Sequence, residues 1–272
     1  MAAQSLTAID GTPHVLNEYE LRQVCAIAAW KGEKPGMTKR LANQVAGSLG
    51  KLSGKLIPDA PVQAAMNALN KAAGQIARDD SIFKDKRLRL TDMRSLDDIA
   101  AQPLEFCDAL ADRIIADASR IALGMGAATG AGGPVSTAVG IPALLFGALR
   151  VIHEVSQAYG YAAHGEADRH TMIGILALSL AATPEQKARA LECHRRQIET
   201  SLINQAMEES ANKALQRAVL GAELGALIPG FNIAFNAYLN RQFVSRAGVA
   251  AKRVFQERWL RERGKVAWIA PI

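Results

Sequence analysis

Residues 121–149, IALGMGAATGAGGPVSTAVGIPALLFGAL, contain no charged side chain and are bounded by Arg120 and Arg150. A charge-free run of this length is enough to cross a bilayer as one helix. The cluster Gly130-Ala131-Gly132-Gly133-Pro134 interrupts it in the middle, and Pro142 follows. Glycine and proline in such clusters break helices, so the run reads as two apolar helices joined by a tight glycine turn. The theme recurs over residues 218–240, where an apolar segment containing Gly221 and Gly225 breaks at Ile228-Pro229-Gly230 and a helix returns.

Outward from these hairpins the apolar positions repeat with helical period. Leu21, Val24, Cys25, Ala28 and Ala29 mark a helix over residues 19–31, ended by Gly32 and Pro35-Gly36. Further helices are predicted over 38–56, 62–77 and 103–127, and the second arm of the first hairpin continues to Tyr159-Gly160-Tyr161. Residues 78–94 are polar enough for a loop, and Ser95-Leu96-Asp97-Asp98 reads as a helix N-cap. A polar loop over 164–170, a short apolar helix over 171–182 and a long amphipathic helix over 185–215 complete the pattern. No useful β-type alternation interrupts it. The expected fold is all-α: a single helical domain over residues 19–265, built around two Gly/Pro-broken apolar hairpins, after a flexible N-terminal segment over 1–18.

Composition supports close helix packing, since hydrophobic residues make up 49% of the 272 positions and aromatics only 5%. The formal net charge of +6 favours polyanions, whether nucleic acid or an anionic lipid surface. Cys25, Cys107 and Cys193 have no C-x-x-C spacing, which argues against a zinc or redox site and for a reducing, cytoplasmic setting. The first residues lack the basic and apolar regions of a signal peptide.

Trp30-Lys31, residues 126–133 (GAATGAGG), Ile141-Pro142, Leu149-Arg150-Val151-Ile152 and Tyr159-Gly160-Tyr161, in that order, resemble the EcsC family. Leu227-Ile228-Pro229-Gly230 leading to Asn236, with Ala250, Phe255 and Leu260 beyond, fits its C-terminal part, so the likeness runs from about residue 20 to 260. The family pattern often carries an Asp before the Ile-Pro pair, where this chain has Gly140. The family is named for a bacterial gene found beside ABC-exporter genes. The resemblance implies bacterial origin and membrane association, and no reaction.

Several groupings invite chemistry. Gly124, Gly126, Gly130, Gly132 and Gly133 suggest a phosphate loop, but no Lys-Ser or Lys-Thr follows and no strand precedes. Small residues that let helices approach are the favoured reading. His164, Glu166, Asp168 and His170 alternate within the predicted polar loop and are the candidate ligands for a divalent metal. His153-Glu154 and Cys193-His194 lack a visible third partner, which points to structural or surface roles.

In the last helix Leu239, Phe243, Ala247, Ala250 and Val254 keep one side, while Arg241, Arg246, Lys252, Arg253 and Arg263 fall mostly on the other, with Trp259 and Trp268 near the end. A basic amphipathic helix with aromatic anchors suits anionic headgroups; the alternative is an ordinary helix with solvated arginines. The basic cluster Lys84, Lys86, Arg87 and Arg89 has no nucleic-acid-binding motif beside it, and nearby acids dilute its field, so nucleic acid ranks below lipid.

The reading that results is a helical protein at the cytoplasmic face of the cell membrane, peripheral to it, that binds lipid or an apolar small molecule and serves a transport or secretion component. Gly126, Gly130, Gly133, Pro142, Pro229 and Gly230 would set the hairpin geometry, and Arg241, Arg246, Lys252 and Arg253 would contact lipid. No catalytic residue is assigned and no cofactor is expected. The alternatives are a metal-assisted hydrolase using residues 164–170 and a soluble protein-interaction module.

Overall fold

The computed structural model describes residues 15–33, 81–84, 88, 91–130, 134–162, 166–181, 184–199 and 232–272. The expected helices over 38–56 and 62–77, and the first arm of the second hairpin with Pro229-Gly230, lie outside the described residues. Within them the chain forms seven α-helices and no strand: α1 Glu18–Gly32, α2 Leu96–Ala100, α3 Leu104–Gly130, α4 Pro134–Ala158, α5 Glu166–Leu180, α6 Pro184–Glu199 and α7 Asn232–Glu262. One short 3-10 turn, Ser81–Lys84, precedes α2. The fold is all-α, as the apolar periodicity requires.

The helix starts follow from local chemistry. The Asn17 side chain accepts from the Glu20 N–H at 2.8 Å and the Glu20 carboxylate accepts from the Asn17 N–H at 2.9 Å, a reciprocal box that satisfies two donors at the start of α1. Ser95 and Asp98 do the same for α2, at 3.2 and 2.9 Å, as the sequence suggests. Pro134 opens α4, where a missing N–H costs nothing. Pro142, in contrast, lies within α4, and the helix continues through it.

Two helices end through glycine. After α4, Gly160 takes φ +80 and the Gly160 and Tyr161 N–H groups donate back to the Gln157 and Ser156 carbonyls at 2.9 and 3.0 Å. A side chain there would also strike Ala100, whose Cβ lies 2.5 Å from where a Cβ on Gly160 would sit. Gly264, at φ 64, closes α7 in the same way through Leu260 and Arg261.

Helix α7 is central. It packs most extensively on α3, then on α4 and α5, and touches α1. Val244, Ala247, Ala250, Ala251, Val254, Phe255, Trp259 and Leu260 are all buried, so this helix is covered on most sides rather than amphipathic at a surface. Its small residues permit close approach, as at Gly248, where a Cβ would lie 2.6 Å from Ile115 Cγ1.

The pairs Asp108–Gln256, Asp112–Lys252 and Ile115–Gly248 run in opposite order along the two chains, so α3 and α7 are antiparallel. α3 and α4 are antiparallel too. Tyr159 reaches Asp108 at one end, and at the other Gly130 and Pro134 are too close in sequence to separate.

The polar stretch expected to be a loop contributes core: Ile82 and Leu88 are buried. The packed chain also continues past the expected boundary at 265, because Ile269 is buried and Ile272 N–H donates to the Ala28 carbonyl at 3.3 Å.

Candidate functional site

The three-helix core has two dissimilar ends. At the first, charge disappears: α3 carries none after Arg120, and α4 none before Arg150. Apolar side chains are nevertheless exposed there, with Ile121 at 64%, Leu123 at 40% and Phe146 at 37% relative exposure. Gly124 and Gly147 border this surface, and a Cβ on either would meet nothing within 4 Å. These two glycines therefore do not serve close helix packing, unlike Gly248. Gly126 and Gly130 occupy the last turns of α3, and Pro142 lies within α4. Gly133, Pro229 and Gly230 fall outside the described residues.

At the opposite end specific polar contacts key the helices together. Asp108 on α3 is 1% exposed. It accepts from Tyr159 Oη at 2.5 Å, Tyr19 Oη at 2.7 Å and Gln256 Nε2 at 2.7 Å, which joins α1, α3, α4 and α7 at one carboxylate. Gln23 Oε1 in turn accepts from Gln256 Nε2 and from Arg253, both at 3.1 Å. Burial, reinforced by the Asp108 charge, pushes both tyrosine hydroxyls well above their ordinary pKa, so they remain donors. Burial likewise pushes the Cys107 thiol up to about 12, which makes it a packing group rather than a nucleophile.

A second key lies beside it. Lys31 Nζ donates to Glu257 Oε1 at 2.8 Å and to the Ile269 carbonyl at 2.6 Å, and sits 3.4 Å from the Trp268 ring centroid. Glu257 Oε1 also accepts from the Ile269 N–H at 3.0 Å. The segment after α7 is thereby bound back onto α1. Burial lowers the Lys31 pKa against the opposing pull of Glu257. His194 is buried nearby with Nδ1 unpartnered, and burial together with the Lys31, Arg261 and Arg258 charges lowers its pKa to about 4.

The four cations expected to meet lipid divide between these ends. Arg241 is exposed at the charge-free end, and Arg246 lies 3.4 Å from Gln242 Oε1. Lys252 pairs with Asp112 at 2.7 Å, and Arg253 belongs to the Gln23–Gln256 network. The aromatic residues expected as anchors are engaged within the protein: Trp259 is buried beneath Arg263, and Trp268 lies beneath Lys31.

The sequence profile of the EcsC protein family matches residues 22–260, most of the chain. The protein belongs to the EcsC family. Among its relatives is the "Uncharacterized protein YdbA" of Bacillus subtilis (strain 168), 26% identical over 187 residues, covering 66% of this chain and 68% of that one. No solved structure matches. The EcsC match covers α1 from Arg22 and nearly all of α7, and with them Asp108, Lys31 and Glu257, but begins after Tyr19 and ends before Ile269.

The candidate metal ligands of this EcsC protein are placed differently from expectation. His164 lies outside the described residues, and residues 166–170 form the first turn of α5 rather than a loop, because the helix starts at Glu166. At about 100° per residue, Asp168 falls on the opposite side of that helix from Glu166 and His170. Among the described residues no group of three or more His, Cys, Asp or Glu comes together to hold a metal ion. His153 and His194 are buried rather than at the surface, and the three cysteines are free, with Cys25 exposed.

Sequence reading missed the Asp108 key altogether. The available signal was an aspartate inside the apolar repeat Leu104, Cys107, Ala111, Ile115, a position that only a satisfied carboxylate tolerates.

Proposed function

We propose that this protein is a membrane-associated helical protein that binds lipid or an apolar ligand through the charge-free end of its α3–α4 hairpin, as an accessory to a transport or secretion system. The observation that carries this reading is the exposure of Ile121, Leu123 and Phe146 on a segment with no charge between Arg120 and Arg150. Burying the exposed part of such side chains against hydrocarbon gains roughly 1 kcal/mol each, whereas polar keys hold the opposite end closed. Among the described residues no helix is long and apolar enough to cross a membrane, so the contact proposed is shallow.

Vesicle co-sedimentation of the intact chain tests the reading. Wild type is expected to bind phosphatidylcholine vesicles, and the double variant Ile121→Gln/Phe146→Gln to lose most of that binding with unchanged helicity. Equal binding by the two proteins would move the contact elsewhere. No binding by wild type would favour a soluble interaction module, with the apolar end docking on protein.

A further inference from the structure

Followed toward the charge-free end, each of the three core helices gives up its last charge as an arginine. On α3 it is Arg120, with none from there to Gly130; on α4 it is Arg150, with none back to Pro134; on α7 it is Arg241, with none back to Asn232. Helix register brings the three to one level. Carrying the Asp108–Gln256 and Asp112–Lys252 pairing onward places Arg241 within about one turn of Arg120. Equal steps from Asp108–Tyr159 place Gly147 beside Arg120, with Arg150 about one turn behind. The three positions therefore occupy a band about 9 Å deep along the helix axes.

All three side chains reach solvent: Arg120 is 77% exposed, Arg150 is 49% exposed, and Arg241 is exposed. The acids that two of them meet are set back from the tip. Asp117 lies 2.7 Å from Arg120 and one turn behind it, and Glu154 lies 2.8 Å from Arg150 and one turn behind. Exposed pairs of this kind hold weakly and can exchange a carboxylate for a phosphate. Along the axis the acids lie behind the arginines, while Ile121, Leu123 and Phe146 share the arginine band, so one level offers both guanidinium groups and apolar side chains, as the boundary between headgroup phosphate and hydrocarbon requires. Beyond Arg120, α3 extends to Gly130, about 15 Å of helix, or half of a typical hydrocarbon core of about 30 Å.

We infer that Arg120, Arg150 and Arg241 form a collar that seats on the phosphates of an anionic leaflet, with the charge-free ends of α3, α4 and α7 entering that leaflet alone. This rests on the lipid reading above and adds to it the headgroup charge, the residues that read it and the depth of entry.

The test compares vesicles of phosphatidylcholine with vesicles that also contain phosphatidylserine. The proteins are wild type, the triple variant Arg120→Gln/Arg150→Gln/Arg241→Gln, and the matching triple lysine variant. Wild type is expected to bind the anionic vesicles about 100-fold more tightly than the neutral ones. The glutamine variant should lose that increment, with a much smaller loss on neutral vesicles and unchanged thermal stability, and the lysine variant should restore it. If the increment survives in the glutamine variant, diffuse net charge produces it and the collar is wrong, while tip insertion stands. Loss of binding to both vesicle types by wild type would overturn both readings. Anionic binding that needs the arginines but not Ile121 and Phe146 would keep the collar and overturn insertion. A Phe146→Trp variant sets the depth of the band: quenching by bromines high on the acyl chain is expected, and quenching only by aqueous acrylamide would place the band in water.

Discussion

The end of the core around Asp108 and the end beyond Arg120 are built from the same helices by opposite rules. At the Asp108 end, two sets of buried polar groups find partners inside the chain: one carboxylate takes three donors, and Lys31 binds Glu257 and the Ile269 carbonyl. At the other end the helices carry no charge beyond Arg120, Arg150 and Arg241, and among the described residues Ile121, Leu123 and Phe146 are exposed. A keyed end can specify one arrangement of α1, α3, α4 and α7 because a misplaced helix leaves a buried donor unpaired. A charge-free end cannot do this, and the proposed lipid contact would supply its complement.

The sharpest way to break the contrast is Asp108→Ala. It strands two tyrosine hydroxyls and the Gln256 amide, and a loss of about 3–5 kcal/mol is expected in urea unfolding. A loss under about 1 kcal/mol would mean that the network is not a key.

Lys31→Met should come next, at about 3 kcal/mol, because it leaves Glu257 buried without its cation. Limited proteolysis should then cut after α7, where Trp268 and Ile269 are no longer held. Protection equal to wild type would show that the segment is held by other contacts.

Acid separates the two ends as well. The His194 pKa falls from 6.5 to about 4 in the folded state, so the unfolded chain binds the proton more readily between those values. Stability contributed by keeping this ring neutral is present above pH 6.5 and is lost as pH falls toward 4, by about 3 kcal/mol at most. His194→Gln should flatten that part of the pH profile, and an unchanged slope would assign it to other groups. The smallest effect belongs to the tip: Ile121→Gln should change stability by less than about 0.5 kcal/mol, since this side chain is 64% exposed.

The all-α fold was legible because apolar periodicity, the Ser95 cap and the glycine stop at Gly160 are local signals. The charge-free run was legible for the same reason. What α7 packs against was not, since Lys252, Arg253 and the following Arg263 look solvated until Asp112, Gln23 and Ala100 arrive from distant segments. The Asp108 key depends on residues separated by 51, 89 and 148 positions, which no window on the sequence brings together. The loop expected over 164–170 gives way to helix from Glu166, because that residue serves equally well as an acidic first-turn residue of a helix.

The most direct measurement is flotation of the intact protein with neutral and anionic liposomes at low and high salt. The account predicts that it floats with both, that anionic lipid adds to the floated fraction, and that salt removes only the addition, since screening weakens the arginine contacts and leaves hydrocarbon burial in place. A protein that stays at the bottom of the gradient under every condition would contradict it.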